Sequence, residues 1–248
     1  MRRLGVALVL LLALLMSALG AGTSQAAVER QPDLRMLRPS GFYIQSTSWG
    51  ARLLRFNTVI TNDGPGAFDV RGSRPDTATK RMNLTQRVYR SDGTYRNIAI
   101  PLSGSYGFYS GDGHDHWHVY RLQEFTIRRV NADGSLGNVA GRGAKTGFCF
   151  YDNTKVNLGL SGAPQTPVYR GCGGEDSLTV TMGLSVGWGD TYGANLHLQW
   201  IKINGLPDGK YRVHVTADPS NRFLEGNETN NRSFTTIQIR GNTVAVLG

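Results

Sequence analysis

Beyond its first 26 residues the chain sustains no helical period and alternates instead. Leu54, Phe56, Thr58 and Ile60 place an apolar or β-branched side chain at every second position, and the run stops at Asn62, Asp63, Gly64, Pro65 and Gly66. Side chains of an extended strand point alternately to its two faces, so such a run offers one face to a core. The pattern returns in Leu178, Val180 and Met182, in Leu196, Leu198 and Trp200, and in Tyr211, Val213, Val215 and Ala217. Arg87 to Arg90 and Thr94 to Ile98 flank Asp92 and Gly93, a two-residue hairpin signal. Many short strands punctuated by turns predict an all-β fold, an antiparallel β-sandwich, and the 32 glycines predict long irregular loops. No internal repeat interrupts this pattern, and residues 27–248 suffice for one domain with one core.

Arg2 and Arg3 precede an apolar stretch from Leu4 to Leu19, which gives way to small residues through Ser24, Gln25 and Ala26. This predicts a secretory signal peptide over residues 1–26, cleaved after Ala26; a membrane anchor needs a longer apolar run. The expectation is a secreted, extracellular protein with no membrane span. The net charge of +9 stays positive after the two leader arginines are removed. Lysines and arginines are scattered with no aromatic-basic motif, which argues against nucleic acid as a partner; the charge suits an anionic cell-wall, matrix or lipid surface. Cys149 and Cys172, an even pair in an exported chain, predict one disulfide worth on the order of 3 kcal/mol, with two buried thiols as the alternative.

Three of the five histidines fall at His114, His116 and His118, directly after Gly111, Asp112 and Gly113. On a strand the three imidazoles point one way, and Asp115 and Trp117 the other. Residues four apart on a flat strand lie roughly 13 Å from one another, near the limit for two imidazoles sharing one ion at about 2.0 to 2.1 Å. The glycines therefore predict a bend at His114, with His116 and His118 on regular strand running on to about Val130. Three protein ligands leave an open position, the mark of a catalytic site, but imidazole suits copper, zinc and iron alike. A surface metal scavenger or a polar strand face is the plainer reading. His214 lies on the polar side of its strand and reads as a surface residue.

Lys145, in Ala144-Lys145-Thr146-Gly147-Phe148-Cys149, taken alone reads as a solvated lysine before a strand, and Tyr192, in Gly189-Asp190-Thr191-Tyr192-Gly193-Ala194, as packing beside glycines. The order of these motifs changes that. From Pro32, Asp33 and Leu34 and Leu53 to Phe56, through the histidine motif with Glu124, Phe125 and Thr126, to Lys145, Tyr192, Gln199, Trp200 and Ile201, and on to Asn230 and Asn231, the chain resembles the lysyl oxidase family. The resemblance implies copper held by His114, His116 and His118, and a lysyl tyrosylquinone made by covalent joining and oxidation of Lys145 and Tyr192. It implies a primary amine or lysine-containing protein as substrate, with molecular oxygen, giving an aldehyde, ammonia and hydrogen peroxide. A lysine near pKa 10.4 must lose its proton before it can attack a ring, so its surroundings have to favour the neutral amine. Asp190, two residues before Tyr192, is the candidate base.

The chain departs from the animal members of that family. Asn195, His197 and Leu198 stand where those carry acidic residues and a cysteine, and Trp188 where they carry a cysteine. His197 reads as an altered active-site group or as a strand-face histidine satisfied by neighbours. The resemblance further implies a calcium site from Glu225, Asn227, Asn230 and Asn231 with Asp33 and the backbone of Leu34, although only Glu225 of the loop's four side chains is acidic. An asparagine-rich turn is the alternative. Two functions thus compete: a copper amine oxidase, and a non-catalytic metal-binding β-sandwich adhesion or cell-wall-binding module.

Overall fold

The computed structural model describes residues 26–110 and 115–247, and within them all regular structure is strand. The signal-peptide expectation falls almost entirely on residues 1–25, outside the described residues. The strands pair antiparallel in three sheets. The eight-stranded sheet runs Gly147–Phe148, Trp117–Tyr120, Gly107–Tyr109, Arg81–Arg90, Phe68–Ser73, Thr179–Leu184, with Glu29–Arg30 and Tyr95–Ile100 also on Arg81–Arg90. The five-stranded sheet runs Leu136–Arg142, Gln123–Val130, Gly209–Ala217, Arg232–Arg240, Thr243–Val246. In the six-stranded sheet, Arg52–Asn62 pairs with Leu34–Met36, Ser40–Ser46, Trp188–Tyr192 and Trp200–Lys202, and Thr154–Lys155 pairs with Trp188–Tyr192. The all-β expectation holds, and the Asp92-Gly93 hairpin forms with Tyr89 opposite Tyr95 and Gly93 at φ 83°.

One core joins the three sheets, which is the single-domain arrangement the pattern called for. Its spine is a series of rings in edge contact: Phe56 against Phe125 at 5.4 Å, Phe125 against Phe148 at 5.9 Å, and Phe148 against Tyr192 at 5.3 Å. Each step crosses from one sheet to another, so the series ties the layers together and ends at Tyr192. Cys149 and Cys172 form a disulfide with Cα atoms 5.9 Å apart, closing a separation of 23 residues. The chain-entropy gain for a loop of that size is about 3 kcal/mol.

The structure corrects three strand readings. The histidine strand does not run to Val130: it ends at Tyr120, Arg121 adopts φ 57°, and the chain enters the five-stranded sheet at Gln123. Leu196 and Leu198 lie in a turn, with Leu198 at φ 58°, and only Trp200–Lys202 is strand. His214 does face away from the core residues Val213 and Val215, but it is buried beneath that outer face instead of lying on the surface.

Candidate active site

Trp188–Tyr192 lies against Arg52–Asn62 with Asp190 opposite Ile60 and Tyr192 opposite Thr58. Asp190 and Tyr192 are two residues apart on a strand, so they share a face. Both are buried, 2% and 6% exposed. Lys145, 7% exposed, is fixed by its neighbours: Gly143 N–H donates to Phe125 O at 2.8 Å, Ala144 N–H to Trp200 O at 2.9 Å, and Arg121 N–H to Thr146 O at 2.7 Å. These bonds hold the backbone around Lys145, whose Nζ lies 5.4 Å from the Tyr192 ring centre and 5.6 Å from that of Phe148. Gly147 lets the strand after Lys145 lie close against Phe108 and His118. A Cβ there would meet the Phe108 ring at 2.3 Å and His118 Cβ at 3.0 Å.

The alternation expected of the histidine motif holds where it is described. Trp117 turns into the core, fully buried, with its indole N–H on Gly174 O at 2.8 Å and Arg74 over its ring at 4.6 Å. His118 on the strand and His116 on the bend before it turn the other way, ring centres 4.6 Å apart, with Phe108 5.5 Å from His118. His114 lies outside the described residues. His116, His118, Lys145, Asp190 and Tyr192 all line one cavity of about 130 Å³, with Cys149, Tyr151, Asn153, Thr191 and Leu196 completing its wall. At ~30 Å³ per water molecule, it has room for the end of an alkyl chain rather than for a folded polymer segment.

Asp190 is held by one oxygen. Asn153 Nδ2 donates to its Oδ1, while Asn153 Oδ1 accepts from Thr191 N–H at 2.8 Å, so one carboxamide fixes both residues before Tyr192. Asp190 Oδ2 and the Tyr192 hydroxyl lie near each other, and neither has a partner within hydrogen-bonding geometry among the described residues. Burial pushes the Asp190 carboxyl well above the usual carboxylate range, against the lowering effects of Asn153, the Tyr192 phenol and the Lys145 charge. Burial, then the neighbouring Asp190, likewise raises the Tyr192 phenol. A carboxyl of raised basicity beside a phenol and an amine can move protons in a site that admits little water.

Asn153, Tyr151 and Phe148 complete this arrangement, yet none was singled out from sequence. Asn153 belongs to no motif, and only folding brings it against Asp190. His197 sits in the turn after Tyr192, not on a strand face. It is exposed, edge-on to Trp200 at 6.0 Å, and lines a smaller cavity with His118 and Lys145. Trp188 is buried with its indole N–H on Pro164 O at 2.8 Å.

The C-terminal loop does meet the start of the domain. Glu225 accepts from Leu34 N–H at 2.6 Å and from Asn231 Nδ2 at 3.0 Å, and Asn230 Nδ2 donates to Asp33 Oδ1 at 2.9 Å. Asn227 turns back on its own loop, accepting from Thr229 N–H at 3.0 Å and Oγ1 at 2.6 Å. The Oδ1 atoms of Asn230 and Asn231 are buried without a hydrogen-bond partner among the described residues. Burial, with Glu228 and Asp218 nearby, lifts Glu225 to about 9. Glu228 lies near enough to raise Glu225, and among the described residues no group of three or more His, Cys, Asp or Glu is placed to hold a metal ion.

Comparison with known proteins gives the chain a family. A model of the lysyl oxidase family matches residues 77–248. Protein-lysine 6-oxidase of Gallus gallus is 32% identical over 206 residues, 81% of this chain and 44% of that protein. Protein-lysine 6-oxidase of Homo sapiens is 31% identical over 124 residues, 50% of this chain and 27% of that protein, and lysyl oxidase homolog 1 of Homo sapiens is 30% identical over 130 residues, 52% and 20%. The chain therefore spans less than half the length of these relatives. With the family match covering Lys145, Asp190, Tyr192 and the histidine motif together, the chain belongs to the lysyl oxidase family.

Proposed function

We propose that this protein is a secreted, copper-dependent amine oxidase that converts primary amines, peptidyl lysine among them, to aldehydes. The observation that carries the reading is the convergence of Lys145 and Tyr192, 47 positions apart in sequence, with the Lys145 amine 5.4 Å from the Tyr192 ring in a cavity shared with His116 and His118. A metal-binding adhesion module has no need of that combination.

His116 and His118 fit copper by donor type and by their adjacent rings, with His114 as the third ligand. Copper and the lysyl tyrosylquinone supply the two-electron oxidation of the amine, with oxygen ending as hydrogen peroxide and nitrogen as ammonia. The chain's own groups position and move protons. Phe148 walls one side of the Tyr192 ring and holds it edge-on, and a rotamer change of the long Lys145 side chain brings its amine to the ring edge. Asp190, anchored through Oδ1 by Asn153, keeps Oδ2 available to take the proton from the carbon bearing the substrate nitrogen. Leu196 and Cys149 line the cavity and limit water around that proton.

Asp33, Leu34, Glu225, Asn227, Asn230 and Asn231 are read as a calcium site that clasps the C-terminal loop to the first strands. Calcium addition is then expected to raise the unfolding temperature, and Glu225→Gln to remove that rise. Residues 1–26 are read as the export leader, and among the described residues no helix is long and apolar enough to cross a membrane.

The function is tested by loading the purified protein with copper in air, denaturing it, and staining for redox-cycling quinone. Staining is expected in the parent and absent in Lys145→Arg and Tyr192→Phe. An unstained parent would favour the non-catalytic metal-binding module.

A further inference from the structure

The outer face of the five-stranded sheet carries positive charge that the amine-oxidising site does not use. In register, Thr126, His214 and Phe234 lie side by side across three strands. One row along, Arg128 is opposite Arg212, and one row the other way, Arg232 is opposite Thr216. Strand alternation puts Arg128, Arg212, Arg232, His214 and Phe234 on the same face, turned from the core. Like charges directly opposite each other weaken a sheet. The acid beside them, Glu124, is engaged by Arg142, and none of the three central arginines forms an ion pair among the described residues.

The arrangement is built rather than loose. Arg212 stacks its guanidinium 4.2 Å from the Phe234 ring centre, and the Nε atoms of Arg128 and Arg212 are buried without hydrogen-bond partners among the described residues. His214, only 5% exposed, lies among them with neither ring nitrogen partnered among the described residues. Burial, then Arg232, Arg212 and Arg128, lowers its pKa to about 4, so at neutral pH the ring is uncharged and presents one N–H. Several N–H donors converge here with no acceptor to receive them. Tetrahedral oxyanions supply that: several acceptor oxygens and compensating charge in one small group.

We propose that Arg128, Arg212 and Arg232 hold a phosphate or sulfate group over His214 on this sheet face. The group is either the free ion or one borne on a polymer, and both present several charged acceptor oxygens.

The full chain at low salt is titrated with sodium phosphate, sodium sulfate, inorganic polyphosphate and a sulfated polysaccharide, following the His214 imidazole resonance by NMR. Bound anion offsets the arginine part of the lowering and leaves the burial part, so the His214 pKa is expected to rise saturably above about 4. Each of Arg128→Gln, Arg212→Gln and Arg232→Gln is expected to weaken binding about tenfold, while Arg96→Gln, whose arginine pairs with Glu29 on another sheet, leaves it unchanged. Saturation by the simple salts identifies the free ion, and saturation by the polymers alone identifies the polymer-borne group. A His214 resonance that none of the four probes moves overturns the proposal without recourse to any variant, as does binding that all three arginine variants retain in full.

Discussion

Asp152 and Asp190 are buried carboxylates separated along the fold by Asn153, and they are satisfied very differently. Asp152 is saturated: Oδ2 accepts from Val168 N–H at 2.9 Å, Tyr169 N–H at 3.2 Å and the Ser185 hydroxyl at 2.7 Å, and Oδ1 from Ser185 N–H at 2.8 Å. Asp190 accepts from Asn153 on Oδ1, while its Oδ2, near the Tyr192 hydroxyl, has no partner within hydrogen-bonding geometry among the described residues. A carboxylate bonded on both oxygens pins its loops in place. A half-satisfied one costs stability where it stands, and that cost is retained where a proton must be moved.

Exchanging the two acids should separate the roles. Asp190→Asn is expected to cut turnover by about 10²- to 10⁴-fold with no loss in unfolding temperature, because it removes a buried, incompletely bonded acid. Asp152→Ala is expected to cost about 3 kcal/mol in denaturant unfolding, through lost bonds to a charged acceptor, while turnover per folded molecule stays at the parent level. Turnover that survives Asp190→Asn would assign the base to another group. Replacing Cys149 and Cys172 by alanine should cost a further stability of about 3 kcal/mol.

Smaller effects sharpen the contrast. His214 has its pKa lowered to about 4, so between about 4 and 6.5 the unfolded chain binds a proton that the folded one refuses. Stability is then intact above pH 6.5 and lost on acidification, by up to about 1.4 kcal/mol per pH unit; His214→Phe should flatten that part of the unfolding curve. In turnover, the ascending limb of the pH profile should lie well above the ordinary carboxylate range because burial raises Asp190. Asn153→Ala removes a bond that favours the ionised acid and should move that limb higher still.

The alternating runs made the sheets legible, and the spacing of His116 and His118 made half of the site legible, because both rest on local periodicity. Nonlocal features were not. Lys145 and Tyr192 drew notice only through resemblance, since what places them is the Phe56–Phe125–Phe148 series, whose members come from three sheets. The left-handed Arg121 that sends the chain from one sheet to another carries no glycine to announce it. Alternation gave His214 its face correctly and its exposure wrongly, because arginines and Phe234 on neighbouring strands cover it. Asn153 has no local signal at all.

Joining of the Lys145 amine to the Tyr192 ring is read out by peptide mapping with mass spectrometry after copper and oxygen loading. One cross-linked species containing both residues is expected, lost in Lys145→Arg; recovery of two separate, unmodified peptides from fully loaded protein rules the joining out.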